Sequence, residues 1–530
     1  MDGRKAAAGP VLLKAPAAAL CVCGDKKKAE SPYPVILKGT PEEEGIREEA
    51  LSFISDIIET DIKNGFTSAQ LAVIRNGRLV YENAWGRTNS FHKDGTPDTD
   101  SAPVTTDTLY DLASVTKMFS VNYALQKLFT DGKVCLDAKI TEFLGEVFVT
   151  ETMENKKLPG TGLETLKAWK AGLTIRDLLC HEGGLPASPR CQAPYIYKPT
   201  LADGETYEAN PLYVGCGADE VTRQAVIKMI MKTPPDYEPG TKTVYSDLDY
   251  IILGLIVEKI TGQGLDAYLK ENFFEPMGLT RITYRPLDNG FSKDDCAATE
   301  LNGNTRDGLI PINGFRRDTI QGEVHDEMAY YCMAGVSGHA GLFSNAGDLA
   351  KLASVMLSGG YGENRFFSRE AIDIFTAPKS EREAEWGLGW WRQGGNMRTK
   401  YFGPQAGPGT IGHQGWTGTL VMIDPEKNLV IAYLTNKINS PVTDNKADGN
   451  KFNGNWYTSA SPGFVPRILY VGMDSDEDIS GQLLDLAKNM AAESLKLLPE
   501  GDSAESDHPA ARNARSKKQV FEKMAGQAGK

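Results

Sequence analysis

Two β-hairpins at opposite ends of the chain constrain the fold more than any other feature. Residues 70–86 contain two β-rich runs joined by Asn76-Gly77. Both positions of such a turn tolerate positive φ, which suits a two-residue hairpin loop. Residues 419–423 and 429–434 form a second hairpin across Asp424, Pro425, Glu426, Lys427 and Asn428. Between the hairpins the pattern is mostly helical. Apolar residues recur at helical spacing over 109–130 and near 174–181, 218–232, 247–261 and 346–358. The arrangement predicts an α+β fold: an antiparallel sheet built from both chain ends, flanked by helices, with an inserted mainly helical lobe and a cleft between the two. The sheet lobe takes in about 40–108 and 340–498 and the helical lobe about 109–339, within one catalytic domain of residues 35–498.

The flanks read differently. At the N-terminus, Arg4 and Lys5 precede Val11-Leu12-Leu13 and an alanine-rich run ending at Cys23, interrupted by Pro10, Lys14 and Pro16. Residues 1–34 therefore read as a disordered tail, with a poor export signal or lipid anchor as the alternative. An export signal would place the protein in the cell envelope or periplasm. Residues 499–530 are charged with few large apolar side chains and read as a disordered tail. A net charge of −13 argues against nucleic acid as a partner, because phosphate neutralisation needs a basic face. Eight cysteines stand at 21, 23, 135, 180, 191, 216, 296 and 332 without metal-ligand spacing, so neither a metal nor another cofactor is expected. A Cys191–Cys216 disulfide would suit that loop-rich stretch, and buried free thiols suit it better.

Candidate chemistry begins with an S-x-x-K tetrad, useful only on a helix, where i and i+3 share a face and the amine reaches the hydroxyl. The chain holds two. Ser90-Phe-His-Lys93 lies in a polar loop; Ser114-Val-Thr-Lys117 opens the apolar helical stretch 109–130. A serine at a helix N-terminus brings its own N–H and the positive dipole end to a developing oxyanion. By chance about one or two such tetrads are expected in a chain this long, so Ser114 as a helix cap and Lys117 as a solvated lysine is a fair competing reading. Tyr245-Ser246-Asp247 enters another apolar helix after Pro239-Gly240, where a tyrosine could shuttle a proton to a leaving group. Of three H-x-G triplets, at His181, His339 and His413, only His413-Gln414-Gly415-Trp416 leads into a strand; the other two read as structural and outside any site.

Serine, lysine, tyrosine and strand histidine in this order resemble the signature of the serine β-lactamases and penicillin-binding proteins. Longer segments, 298–308 (Ala-Thr-Glu-Leu-Asn-Gly-Asn-Thr-Arg-Asp-Gly), 324–327 (Val-His-Asp-Glu), 335–345 and 412–418, resemble the low-molecular-mass penicillin-binding proteins of type 4B. The similarity runs over about 35–475 and implies a β-lactamase/transpeptidase-like fold and a D-alanyl-D-alanine carboxypeptidase activity. It implies Ser114 as nucleophile, Lys117 as base and Tyr245 as proton carrier. His413 would orient the substrate carboxylate or the tyrosine, and the N–H groups of Ser114 and Trp416 would form the oxyanion hole, with Asp247 and Gly415 lining the substrate site. The partners implied are peptide or ester substrates, peptidoglycan stem peptides and β-lactams. Two departures stand out: Asp247 where Asn is commoner, and His413-Gln414 where Lys-Thr is commoner. An imidazole is only partly charged near neutrality, which makes esters and small amides rival substrates. The alternatives are an esterase or weak β-lactamase on the same site, and a non-catalytic receptor for peptidoglycan or β-lactams.

Overall fold

The computed structural model describes residues 32–196, 206–380, 383–443, 449–475, 477–498 and 502–528. Most of the N-terminal tail, with its export-signal pattern and the Cys21/Cys23 pair, lies outside these. A seven-stranded sheet is the backbone of the fold. Its order is Leu37–Lys38, Arg78–Gly86, Ser68–Arg75, Leu429–Thr435, Leu420–Asp424, Ile411–Gln414 and Trp391–Arg392. All neighbours are antiparallel except Leu37–Lys38, which runs parallel to Arg78–Gly86 at the edge. The two chain ends meet where Leu71 pairs with Tyr433 and Val73 with Ile431. Asn76 and Gly77 both have positive φ, at 50° and 77°, as the two-residue hairpin requires.

Every residue of the central strands Ser68–Arg75, Leu420–Asp424 and Leu429–Thr435 is buried. Side chains alternate between faces with period two. Ala72, Ile74, Val421, Ile423, Val430 and Ala432 join the core shared with the helical lobe. Leu71, Val73, Met422, Leu429 and Ile431 face a second core with the helices Glu48–Lys63, Phe464–Val471 and Ser480–Leu495. Burial on both faces explains runs that are apolar without alternation.

In the inserted lobe the helix Asp247–Thr261 is buried from Leu248 through Val257. Ser246 caps it, its Oγ accepting the Asp249 N–H at 3.2 Å. The 335–341 loop packs on this helix so closely that a Cβ on Gly338 would lie 2.2 Å from the Tyr250 carbonyl oxygen. A small sheet of Tyr110–Asp111, Leu342–Ser344 and Ile282–Tyr284 brings the chain to the Ser114 turn, with Asp111 paired to Phe343. Cys191 and Cys216 are free thiols.

One expectation needs correction. The segment 499–530, expected to be disordered, contains the helix Pro509–Ala528. It buries Ala510, Ala511, Ala514 and Val520, together with Asn513, Ser516 and Lys517. The Lys517 ammonium pairs with the buried Asp61, whose carboxylate also accepts the Ser516 Oγ–H at 2.7 Å and the Ser459 Oγ–H at 2.8 Å. Small residues and a polar anchor dock this helix, so a count of large apolar side chains does not reveal it. No helix among the described residues is long and apolar enough to cross a membrane.

Candidate active site

Ser114 sits in the one-turn 3₁₀ segment Ala113–Val115, and the helical run continues through Met118–Asn122 into Tyr123–Thr130. Ala113 just before it has φ 47°, a left-handed conformation unusual for alanine and often found at functional turns. Asp111 holds that turn, its Oδ1 accepting the Ala113 N–H at 2.8 Å. One turn on, the fully buried Lys117 amine donates to Ser114 Oγ at 3.2 Å, Asp247 Oδ1 at 2.7 Å and the His339 carbonyl at 3.1 Å. Burial alone favours a neutral amine, but the negative charge of Asp247 and the Tyr245 oxygen overcome it and hold the pKa above the ordinary lysine value. Lys117 is therefore an ammonium at rest.

Tyr245 comes from the loop ahead of the Asp247–Thr261 helix. Its ring centroid is 4.7 Å from the Lys117 amine. The hydroxyl is buried and makes no well-formed hydrogen bond, while the Lys117 amine and Ser114 hydroxyl lie near enough to favour its phenolate. Burial outweighs them and keeps the phenol pKa raised. His413 faces Tyr245 from the strand Ile411–Gln414, ring centroids 6.1 Å apart. Its Nδ1–H donates to the Gln414 carbonyl at 2.7 Å, which leaves the buried Nε2 lone pair unpartnered. Burial, reinforced by the nearby Lys117 charge, pushes the imidazole down to about 3. The ring, read from the sequence as only partly charged near neutrality, is held neutral by these surroundings.

Gly415 brings the end of this strand against the nucleophile turn. A Cβ there would stand 2.3 Å from the Leu112 carbonyl oxygen and 3.2 Å from the Ala113 Cβ. The next residue, Trp416, is 37% exposed, and its indole stacks on the His325 ring at 5.0 Å. Ser90 lies elsewhere, its N–H bonded to Asn439 Oδ1.

Two histidines set aside as structural belong to the site. His339 supplies the carbonyl that Lys117 meets, and its ring bridges Ser337 Oγ at 2.7 Å and Asp326 Oδ1 at 2.8 Å. The close packing at Gly338 carries that carbonyl under the amine. His181, with φ 57° after the helix Ile175–Leu179, turns its ring back to 4.8 Å from that of Tyr245. Its Nδ1 lies 3.1 Å from Asp249 Oδ2; burial lowers the imidazole pKa and raises that of the carboxyl, so the pair is held neutral. Asp247, Asp326 and His339 also bring ligand atoms within 4.8 Å of one another. The Lys117 ammonium already bonds Asp247 and the His339 carbonyl at that position, so the cluster needs no metal ion to balance its charge.

With this geometry in view, similarity to known proteins is informative. The Beta-lactamase family profile matches residues 54–454. The chain belongs to the β-lactamase family. An Escherichia coli K12 protein named "Putative D-alanyl-D-alanine carboxypeptidase" is 40% identical over 446 residues, 83% of this chain and 94% of that protein. A Bacillus subtilis protein named N-acetylmuramyl-L-alanine amidase is 40% identical over 422 residues, 79% of this chain and 88% of that protein. Among solved structures, EstCE1, a hydrolase with promiscuous acyltransferase activity, superposes with a TM-score of 0.54 at 17% identity, covering 80% of this chain and 99% of that one. A penicillin-binding protein homologue from Caulobacter crescentus gives 0.51 at 18% identity, covering 79% and 98%. These two likenesses show the fold. The family and its close relatives make the chain a serine hydrolase of the β-lactamase and penicillin-binding protein type.

Proposed function

We propose that the chain hydrolyses an amide bond of peptidoglycan-derived peptides through an acyl-enzyme on Ser114. The observation that carries this reading is the Lys117 amine reaching both Ser114 Oγ, at 3.2 Å, and Asp247, at 2.7 Å. In the first step Ser114 Oγ attacks the carbonyl carbon and gives up its proton. Lys117 cannot take that proton while it is an ammonium, so its own passes to Asp247 as the serine proton arrives. The N–H groups of Ser114 and Trp416 meet the oxyanion. Tyr245 gives its phenolic proton to the leaving nitrogen as the C–N bond breaks and is reprotonated by Lys117, which recovers its own proton from Asp247; water then cleaves the serine ester by the reverse route. Action on peptidoglycan would place the enzyme in the cell envelope.

A D-alanyl-D-alanine carboxypeptidase is the first reading of the bond cleaved, supported by the name of the Escherichia coli relative. The neutral His413 favours a second. A carboxypeptidase's leaving amine is a free amino acid with an α-carboxylate, which gains little from an uncharged imidazole, and the Lys117 charge is already met by Asp247. In a muramyl–L-alanine bond, named in the Bacillus subtilis relative, that carboxyl is itself an amide and needs no cation. Two probes separate the readings: diacetyl-L-lysyl-D-alanyl-D-alanine and N-acetylmuramyl-L-alanyl-D-isoglutamine. Free D-alanine from the first supports the carboxypeptidase; L-alanyl-D-isoglutamine from the second supports the amidase. Turnover of p-nitrophenyl acetate with neither product makes the enzyme an esterase. Undiminished hydrolysis by Ser114→Ala overturns the nucleophile itself.

A further inference from the structure

We propose that Glu300 and Asp111 form a buried clamp that sets the spacing of the two N–H groups meeting the oxyanion, those of Ser114 and Trp416. The inference rests on Ser114 being the nucleophile. Glu300 is 1% exposed. Its carboxylate accepts the Arg306 backbone N–H at 2.7 Å, pairs with the Arg306 guanidinium, and meets His325 Nε2 at 2.9 Å. His325 then reaches both halves of the oxyanion site. Its backbone N–H donates to Asp111 Oδ2 at 2.7 Å. The other oxygen of Asp111 takes the N–H of Ala113, the residue before the nucleophile. The imidazole of the same His325 stacks on Trp416 with 29° between planes, and the Arg306 guanidinium stands 5.0 Å from that indole's centroid.

The two halves are also strapped to each other. Thr417 Oγ1 donates to the Asp111 carbonyl at 2.8 Å, and Thr419 Oγ1 to the Leu112 carbonyl at 2.9 Å. Thus Ser114 and Trp416, from opposite ends of the sequence, take their positions from one hydrogen-bonded unit. Electrostatic stabilisation of an oxyanion depends on donors fixed before the reaction, and loss of one donor costs about 10²–10³ in kcat. A buried ion network is weak evidence for stability in itself; its value here is geometric. Glu300 and Asp111 touch no substrate, so they are positioning residues. The arrangement also accounts for the family-like segments 298–308 and 324–327, which hold Glu300, Arg306 and His325.

The test uses the full chain with Glu300→Gln, Thr417→Val and Ser114→Ala, p-nitrophenyl acetate as substrate and phenylboronic acid as inhibitor. The boronate adduct on serine places an oxygen where the oxyanion forms. Glu300→Gln is expected to lower kcat by about 10- to 100-fold, with KM within about twofold, and to weaken boronate inhibition in parallel. Thr417→Val is near-isosteric and removes only the strap to Asp111. It should lose about three- to tenfold in the same two readouts, and it keeps the test decisive if Glu300→Gln does not fold. Wild-type kcat and boronate affinity in folded Thr417→Val or Glu300→Gln, beside an inactive Ser114→Ala, overturn the clamp alone. Activity that survives in Ser114→Ala overturns the nucleophile instead.

Discussion

Lys117 spends its three protons on Ser114, Asp247 and the His339 carbonyl, so the charge state of this one amine governs the site. Asp247 is the residue that sets it. In Asp247→Asn the Coulombic support disappears while the burial remains, and the Lys117 pKa falls. Asp247→Asn also removes the acceptor for the ammonium's proton, so at neutral pH the variant is expected to lose most of its activity on an activated ester and to regain it only as pH rises through the lowered Lys117 pKa. A neutral-pH rate equal to that of wild type would show that Asp247 does not take that proton. His413 makes a second prediction. Its folded pKa of about 3 lies below the ordinary 6.5, so between those values the unfolded chain binds a proton that the folded chain refuses. Stability is fully present above about 6.5 and drains away as pH falls towards 3, by up to about 1.4 kcal/mol per unit. His413→Gln should flatten that part of the acid-side loss in Tm between about pH 6.5 and 4, with the buried His181 contributing the same slope in both proteins. Equal slopes would refute the buried neutral assignment. Residue types and order pointed to Ser114, Lys117, Tyr245 and His413, which the fold brings together. The charge on His413 was not legible, because it depends on burial beside Trp391 and Tyr245, 4.9 and 6.1 Å away between rings. Nor was the part played by His339, which acts through its backbone.

At the scale of elements, the hairpins and the long apolar helix were legible because each carries a local signal: a period, a cap or a turn dipeptide. The helix Pro509–Ala528 was not. It is charged along most of its length and docks through Ala510, Ala511 and Ala514 plus the Lys517–Asp61 pair. That pair makes an asymmetric prediction. Asp61→Ala leaves an unpaired buried ammonium, which costs about 3–5 kcal/mol, whereas Asp61→Ala combined with Lys517→Met replaces the pair by apolar contact and recovers most of the loss. Urea unfolding of the two variants measures the difference. If the double variant is no more stable than Asp61→Ala, the pair does not anchor this helix. Ser114 labelling by a fluorophosphonate should be unchanged in both, since the helix lies on the sheet face away from the nucleophile.

The whole molecule is organised by a sheet that neither end of the chain can complete alone. Ser68–Arg75 has Leu429–Thr435 as its inner neighbour, and the strand carrying His413 is two further along. The nucleophile turn is strapped to that same strand's exit through Thr417 and Thr419. Ser114 and Lys117 can therefore stand in the right geometry only after the last strands have paired with the first. Long-range pairing of this kind pays loop-closure entropy before it gains contacts, so assembly of the site belongs to the final cooperative step of folding. Two truncations separate the contributions. A chain ending at residue 405 lacks His413, Trp416 and three sheet strands; the helical lobe then loses the apolar sheet face that completes its core, and no fluorophosphonate labelling of Ser114 is expected. A chain ending at residue 498 keeps the whole sheet and all of the family-matched segment 54–454, and loses only the helix Pro509–Ala528. It should label at Ser114 at close to the full-length rate while melting several degrees lower, because Asp61 and the apolar flank of the helix Glu48–Lys63 are uncovered. Labelling of the 405-residue chain would mean that the helical lobe builds the nucleophile's environment unaided, and the role assigned to the late strands would fall.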